Sequence, residues 1–363
     1  MMILDELNKR KLPNLLFFED GSLVKTKDQW KNRRKEIIDI LCCEEYGRFP
    51  IICQKVTGVI IEEDTNYCAG KAIYQKVALS VHFENGSFSF PIYITVPKNK
   101  QPCPTFLHIN FRDLVPDEYM PTEEICDNGF AVVSFGYKDI TPDDNANNLY
   151  DILNDYIKSN NSAVMPGKIA IRTWAVMRVM DYMQTLNDID KNNIAIVGHS
   201  RLGKTALLAG AFDERFAFSI SNNSGCGGAA ISRGKSGETI KDICDKFPNW
   251  FCDNYKKYAG RENDLPFDQH FLLATIAPRK VYVASAVEDA WADPRSEFLS
   301  CIAASKVYEF LGEKGFIYPD RFPNTNESLH DGNIGYHIRE GTHALSRYDW
   351  QRFIEYIKIH INK

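Results

Sequence analysis

A serine between two glycines is the part of this sequence best suited to covalent chemistry. Ser200 lies in the heptapeptide 198–204, GHSRLGK, after the apolar run 193–197 and before the helix-like segment 205–211. A strand-to-helix turn strains the serine backbone, and the glycines let strand and helix approach closely. Because strand, turn and helix follow in this order, an ordinary exposed serine on a turn is the weaker interpretation. We predict that Ser200 is a nucleophile that attacks esters.

Two cations follow the serine and extend this prediction. Arg201 could add hydrogen-bond donors to an oxyanion hole, together with the free N–H groups of the helix N-terminus. Lys204, one helical turn on, could meet an anionic or hydroxylated substrate, although a solvated helix face is the alternative. A second oxyanion donor could come from the segment 110–112, Asn-Phe-Arg, after the predicted strand 105–110.

A general base is expected downstream of the nucleophile, on a loop that follows a late strand. His343 fits best, because a strand-like run, a glycine-containing loop and then the histidine precede the last amphipathic helix. His337 lies on that strand itself and is predicted to be buried and structural. The other downstream histidines open a helix, lie in a polar loop or stand near the chain end: His270, His330 and His360.

The acid that orients this base is expected at the end of the strand 280–286, where three carboxylates follow. We favour Asp289, which would fix the tautomer of His343 and stabilise its imidazolium form. Glu288 is the runner-up. Asp293 precedes a proline and is predicted to cap the next helix, and a solvated acidic loop is the alternative for all three.

Composition and charge limit the remaining functions. The chain has 363 residues, 44% of them hydrophobic and 25% charged, and a net charge of −5. No basic face or apolar membrane span is present, so neither nucleic acid nor a membrane is an expected partner. The ten cysteines have no paired C-x-x-C spacing and the N-terminus has no signal-peptide pattern. We therefore expect a cytoplasmic protein, or a secreted one if a leader was removed, without a metal site or an organic cofactor.

The order of the predicted elements indicates the fold class. A helix is expected at 26–43 and three antiparallel strands at 56–62, 72–82 and 88–96, with a hairpin at 84–86. Strands then alternate with helices, which predicts a mostly parallel sheet covered on both faces. The further strands are expected at 105–110, 130–135, 193–197, 216–221, 280–286 and 334–338, and the helices at 121–128, 168–186, 267–276, 294–311 and 347–360. We predict one α/β domain over 1–363, an α/β-hydrolase three-layer sandwich, with 1–50 as an N-terminal arm and helix packed on it.

Several segments together resemble a known family. These are GHSRLGK at 198–204, SNNSGCGGAA at 221–230, LPFDQH at 265–270, the Ala-Pro-Arg at 277–279, the segment 284–294 and the Gly-Thr-His at 341–343. The chain is similar to the glucuronoyl esterases, carbohydrate esterase family 15, whose relatives are often labelled acetylxylan esterase-like. The resemblance implies cleavage of the esters that join 4-O-methylglucuronic acid on xylan to lignin alcohols. The predicted Ser200, His343 and Asp289 imply that the reaction passes through an acyl-enzyme.

The resemblance also implies roles for individual residues. Ser200 would be the nucleophile and Arg201 an oxyanion stabiliser, while Lys204 would bond sugar hydroxyls. Glu238 and Trp291 look like further sugar contacts, the tryptophan by stacking on the pyranose ring, and Gln269 is taken as another. A core position for Trp291 and a helix-starting position for Glu238 are the structural alternatives.

Two departures from the family pattern bear on the prediction. Many members carry the acid as a glutamate after the strand that follows the nucleophile helix, whereas this chain has Asn222 and Asn223 there. The acid role is therefore expected in the Asp289 region. The missing leader favours small uronate or acetylated oligosaccharides over exported lignin-linked polymers. The closest alternative function is an acetyl esterase that acts on xylo-oligosaccharides. A non-catalytic carbohydrate-binding protein is an alternative of another class, and a protease is a weaker one. The sequence leaves the oligomeric state open.

Overall fold

A sheet of ten strands forms the centre of the molecule, with spatial order β1-β2-β3-β5-β4-β6-β7-β8-β10-β9. The structure, a computed structural model, describes residues 2–49, 53–84, 86–99, 102–143 and 164–361. The strands are β1 Lys55–Tyr67, β2 Ala72–Phe83, β3 Gly86–Pro97, β4 Cys103–Asn110, β5 Ala131–Gly136, β6 Ile189–His199, β7 Phe218–Asn222, β8 Lys280–Ala286, β9 Ser328–Leu329 and β10 Ile334–Arg339.

The sheet has an antiparallel part and a parallel part. The first three strands pair antiparallel and join the rest through β3 and β5. Strands β5, β4, β6, β7, β8 and β10 pair parallel in that order, and β9 adds antiparallel to β10. In β4, β5 and β10 every residue is buried, as expected when helices cover both faces of a parallel sheet.

Helices cover both faces of the sheet. Among the described residues the α-helices are α1 Ile3–Lys9, α2 Lys27–Leu41, α3 Thr122–Asp127, α4 Lys168–Met183, α5 Arg201–Phe212, α6 Ile240–Lys246, α7 His270–Thr275, α8 Pro294–Phe310 and α9 Arg347–Ile361. Helices α3 and α9 pack on one face through a cluster that includes Ile125, Trp350 and Phe353. The opposite face is covered by α4, α5, α7 and α8. This is the predicted three-layer α/β arrangement.

The N-terminal segment packs on the α7 and α8 side of the sheet. Thr26 begins α2 with a capping box, in which its hydroxyl accepts from the Gln29 N–H and the Gln29 side chain accepts in return. Trp30, Ile37 and Leu41 are buried in the same core as α7 and α8. A π-helical turn, Cys42–Tyr46, follows α2 and places Glu45 fully inside the protein.

The predicted elements are found, with shifts at their ends. Strand β1 runs to Tyr67 rather than 62, α7 is shorter than the predicted 267–276, and α4 ends at Met183 rather than 186. Some short elements, among them β9, α1 and α6, were not predicted, because so few residues give only a weak periodic signal. The centre of the predicted 84–86 hairpin, residue 85, lies outside the described residues.

Neither disulfides nor membrane helices occur in the described part of the chain. All ten cysteines fall within the described ranges and each is unpaired. None of the described helices combines the length and apolar content that crossing a bilayer needs.

The crossing from β6 to α5 is tight enough to demand glycine. A Cβ added at Gly198 would stand 2.0 Å from the Leu202 carbonyl oxygen, and one at Gly203 would stand 3.0 Å from both Ser221 Oγ and Ser224 Cβ. The first contact is to backbone and cannot be relieved by a rotamer change. Gly198 therefore sets the distance between the strand and the helix, as its place in the motif predicts.

We expect Gly198→Ala to lower the free energy of unfolding by on the order of 3 kcal/mol, through overpacking against α5. Gly260→Ala is the control, because its Cβ would meet nothing within 4 Å although its φ is +70°. That variant should lose only about 1 kcal/mol, from the left-handed backbone. Urea unfolding measures both, and equal losses would show that the close approach at Gly198 is unimportant.

Candidate active site

Ser200 occupies a strained turn at the carboxyl end of β6. Its backbone has φ 56° and ψ −125°, a conformation that is rare for a residue with a side chain. Its N–H donates to the Asn222 carbonyl at the end of β7, at 2.8 Å, and its own carbonyl accepts from Gly203 N–H. These hydrogen bonds hold the strained turn in place. The turn puts the Ser200 hydroxyl at the rim of the sheet, as predicted for a nucleophile.

The candidate base and acid lie on neighbouring loops at the same rim. His343 Nδ1 and Asp289 Oδ2 are 2.6 Å apart, a short hydrogen bond between side chains that are 54 positions apart in the chain. Burial raises the pKa of Asp289, but the hydrogen bond and the charge of His343 outweigh it and hold that pKa below its usual value. Asp289 is therefore an anion that can stabilise an imidazolium.

The runner-up acids have other positions. Glu288 is exposed, and its backbone N–H donates to the Gly341 carbonyl. Asp293 caps α8, where its side chain accepts from the Ser296 N–H, as predicted. Only Asp289 of the three is hydrogen-bonded to His343 among the described contacts.

A buried cation builds the loop that carries His343. The Arg339 guanidinium donates to the carbonyls of Thr342 and Ala344, on either side of His343, and pairs with Asp349 at 2.9 Å. His337 Nε2 lies 2.8 Å from the same aspartate and is fully buried. His337 is thus structural, as predicted. Together with Arg339 and Asp349 it holds the loop that carries His343.

The serine, the base and the acid open into one cavity of about 310 Å³. A direct hydrogen bond between Ser200 and His343 is not among the contacts of the described residues. In enzymes without substrate such bonds are often long, and they tighten in the Michaelis complex. The shared cavity shows that the three side chains predicted to act together meet at one place.

Arg201 is anchored beside the serine by aromatic rings and a carboxylate. Its guanidinium forms an ion pair with Asp143 and lies 4.6 Å from the Trp250 ring centre. Asp143 also accepts from Trp250 Nε1 at 2.8 Å and from the buried Arg172. Arg201 Nε has no partner among the described residues. Nε is buried, so the groups available to an oxyanion are the part of the Arg201 guanidinium that lines the cavity and the backbone N–H of Arg201, at the start of α5.

Three of the four predicted sugar contacts line the cavity: Lys204, Glu238 and Trp291. Lys204 is buried, and its ammonium donates to the carbonyls of Ser224 and Cys226, which leaves one of three protons for another acceptor. Burial lowers the pKa of Lys204, while the Glu238 charge opposes that shift. Trp291 is 50% exposed and so is not a core residue.

Two sequence-based expectations are corrected. Gln269 does not line the cavity: it is fully buried and donates to Glu45 on the π-helical turn at 2.9 Å, so it is a packing residue. The segment 110–112 is not among the residues that line the cavity. The Phe111 N–H is taken by Asn110 Oδ1 at 2.7 Å, and Arg112 pairs with Asp117 and Glu118.

Several cavity residues were missed by sequence reasoning. Phe247 and Trp250 stack with ring centres 3.8 Å apart and form one wall, with Lys246 beside them. They lie on and after α6, a helix too short to be recognised, and only the aromatic pair in the sequence KFPNW offered a signal. Asn223 also lines the cavity, from the end of β7.

A second histidine, His199, packs against the ring of the candidate base, His343. His199 is 4% exposed and its ring centre lies 4.6 Å from that of His343, while its Nδ1 is 2.6 Å from Asn222 Oδ1. Burial, together with the charge of His343, lowers the pKa of His199 to about 3. A neutral His199 places no positive charge against an imidazolium at His343. Its position directly before the serine was the available signal.

No group of three or more His, Cys, Asp or Glu side chains that could hold a metal ion occurs within the described ranges. The polar groups at the cavity described above are a hydroxyl, an imidazole, carboxylates, an amide, a guanidinium and ammonium groups, which suit nucleophilic acyl transfer.

The nucleophile turn, the parallel sheet and the late histidine define an α/β-hydrolase. The family model described as "Glucuronyl esterase, fungi" matches residues 79–312. The chain is 34% identical to a carbohydrate esterase from an unknown prokaryotic organism, over 98% of this chain and 91% of the relative. It belongs to the glucuronoyl esterase family, carbohydrate esterase family 15, a family of carboxylic ester hydrolases.

Other relatives agree with this assignment. A 4-O-methyl-glucuronoyl methylesterase of Schizophyllum commune is 29% identical over 83% of this chain and 74% of its own. Among solved structures, a promiscuous esterase of the family from a marine bacterial metagenome superposes with TM-score 0.87 at 33% identity, covering 96% of each chain. A glucuronoyl esterase from Solibacter usitatus gives TM-score 0.84 at 32% identity, covering 96% of this chain and 97% of its own.

We expect Asp289→Asn to lower kcat for ester hydrolysis by about 10³–10⁴-fold, because an amide cannot stabilise the imidazolium and favours the wrong tautomer. Glu288→Gln, at the preceding position, should leave kcat unchanged. Steady-state kinetics on any cleaved ester compares the two variants. A large loss confined to Glu288→Gln would move the acid role to that residue.

Proposed function

We propose that the protein hydrolyses glucuronoyl esters through a Ser200–His343–Asp289 triad and an acyl-enzyme. The observation that carries this proposal is the short His343–Asp289 hydrogen bond at the cavity into which Ser200 opens. Family membership supplies the reaction class, since the matched relatives include 4-O-methyl-glucuronoyl methylesterases.

In the first half-reaction, His343 Nε2 takes the proton of the Ser200 hydroxyl as Oγ attacks the ester carbonyl carbon. The carbonyl oxygen becomes an oxyanion, which the N–H groups of Arg201 stabilise by about 3 kcal/mol per donor. His343 then gives the proton to the leaving alcohol as the C–O bond breaks. Asp289 keeps the proton on Nδ1 throughout, so Nε2 is free to act.

In the second half-reaction, water replaces the alcohol. His343 removes one proton from the water, whose oxygen attacks the acyl carbon and forms a second tetrahedral intermediate. When the C–Oγ bond breaks, the proton returns to Ser200 and the uronic acid is released. No other reactant is needed.

The cavity supports a sugar as part of the substrate. Glu238 and Lys204 offer charged hydrogen-bonding groups to hydroxyls, and the half-exposed Trp291 offers an aromatic face to a pyranose ring. A sugar on either side of the ester could use these contacts, and the matched 4-O-methyl-glucuronoyl methylesterases favour the acyl side. We therefore place the uronate above acetate as the natural acyl group.

The test compares benzyl glucuronate with 4-nitrophenyl acetate. We expect a higher kcat/KM for the glucuronate ester and loss of both activities in Ser200→Ala. A strong preference for acetate would overturn the uronate assignment, while full activity in Ser200→Ala would overturn the mechanism.

We expect Trp291→Ala to raise KM for benzyl glucuronate by about tenfold. One lost aromatic contact costs roughly 1.4 kcal/mol, which corresponds to a factor of ten in binding. Because the side chain is half-exposed, its removal should leave the fold intact. Hydrolysis of 4-nitrophenyl acetate is the internal control and should not change. An equal effect on both esters would exclude stacking on the sugar.

A further inference from the structure

Asn223 combines three features that packing alone does not explain. It follows β7 at the rim, lines the cavity and is 1% exposed. Its backbone has φ 47°, in the left-handed region, and its N–H donates to the Ala284 carbonyl at 2.7 Å. Asparagine is one of the few residues besides glycine that adopt this region readily, and here it places a buried amide beside the candidate catalytic groups.

The side chain of Asn223 meets the oxygen that holds the base. Its Nδ2 donates to Asp289 Oδ2 at 2.8 Å, and His343 Nδ1 lies 2.6 Å from the same oxygen. The other carboxylate oxygen, Oδ1, accepts from the Ala292 N–H at 3.2 Å. Three donors from three parts of the chain thus surround one carboxylate.

The amide can face Asp289 in only one direction. A carboxylate is an acceptor only, so the NH₂ group must point towards it. This leaves the amide oxygen of Asn223 buried without a partner among the described residues. Leaving this acceptor buried without a partner costs free energy. The hydrogen bond from Asn223 to Asp289 offsets that cost.

We propose that Asn223 is a positioning residue that fixes the Asp289 carboxylate and, through it, the imidazole of His343. This inference rests on the proposed triad. With two donors on Oδ2, the Asp289 carboxylate cannot turn away from His343 while the imidazolium forms and is deprotonated again. Without the amide, His343 alone holds that oxygen, and the base loses its fixed direction towards Ser200.

The first test removes the side chain without adding backbone strain. Asn223→Gly keeps φ near 47° at no steric cost, so the variant should fold and KM should change little. We expect kcat to fall about 10- to 100-fold, the effect of losing one hydrogen bond to a charged group. Asn326→Gly is the matched control, since Asn326 is exposed, has φ 65° and lies away from the cavity.

The second test keeps the shape and reverses the hydrogen bond. In Asn223→Asp the new carboxyl faces Asp289, and the two cannot both be ionised without repulsion. At low pH the pair shares one proton, which restores a donor to Oδ2. The ratio of variant to wild-type kcat/KM should therefore change with pH between about 8 and about 5, because the added carboxyl repels Asp289 and raises the pKa of His343 when it is ionised, and donates to Oδ2 when it is protonated.

The other ionisable groups around this carboxylate are the same in variant and wild type. They are His343 on the loop after β10, His199 at the end of β6, Glu297 on α8, and Lys204 and Glu238 on the cavity wall.

Activity on two esters separates this inference from the proposed function. Kinetics on benzyl glucuronate and 4-nitrophenyl acetate should show the same loss in Asn223→Gly, because the residue acts through the triad. Wild-type kcat in Asn223→Gly, or a pH-independent ratio in Asn223→Asp, would overturn the inference while leaving the esterase assignment intact. Absence of glucuronate hydrolysis in the wild type, with acetate hydrolysis retained, would overturn only the substrate.

Discussion

The hydrogen bond between His343 Nδ1 and Asp289 Oδ2 is the interaction on which the proposed chemistry depends. It keeps the imidazole proton on one nitrogen and leaves the other free for Ser200. Neighbouring residues hold both partners of this hydrogen bond in place. Arg339 holds the carbonyls on both sides of His343, and Asn223 donates to the oxygen that His343 meets. The bond is thus fixed from the histidine side and from the carboxylate side.

The parallel sheet explains how distant parts of the chain reach this point. Ser200, Asn223, Asp289 and His343 follow β6, β7, β8 and β10, whose carboxyl ends align in register, with His199 beside Asn222 and Asn222 beside Ala284. Residues just after parallel strands therefore meet at one rim. The tight β6–α5 crossing at Gly198 then raises the serine above it. Sheet geometry brings the groups together, and loop contacts orient them.

The features that sequence reasoning found are those with a local signal. The glycine-flanked Ser200, the strand-end carboxylates and the late His343 each carry a pattern within a few residues, and the buried strands show as apolar runs. The wall of Phe247 and Trp250 and the role of Asn223 carry none, because they depend on contacts across the fold. Gln269 was misassigned for the same reason, since its partner Glu45 lies 224 positions away. The single domain and the cytoplasmic location stay predictions.

The most direct measurement of the central claim is covalent labelling of the nucleophile with a fluorophosphonate, followed by peptide mass spectrometry. We expect one adduct, on Ser200, formed rapidly in the wild type and far more slowly in His343→Ala, because the histidine must take the serine proton. An adduct on another residue, or equal labelling of Ser200 in the two proteins, would contradict it.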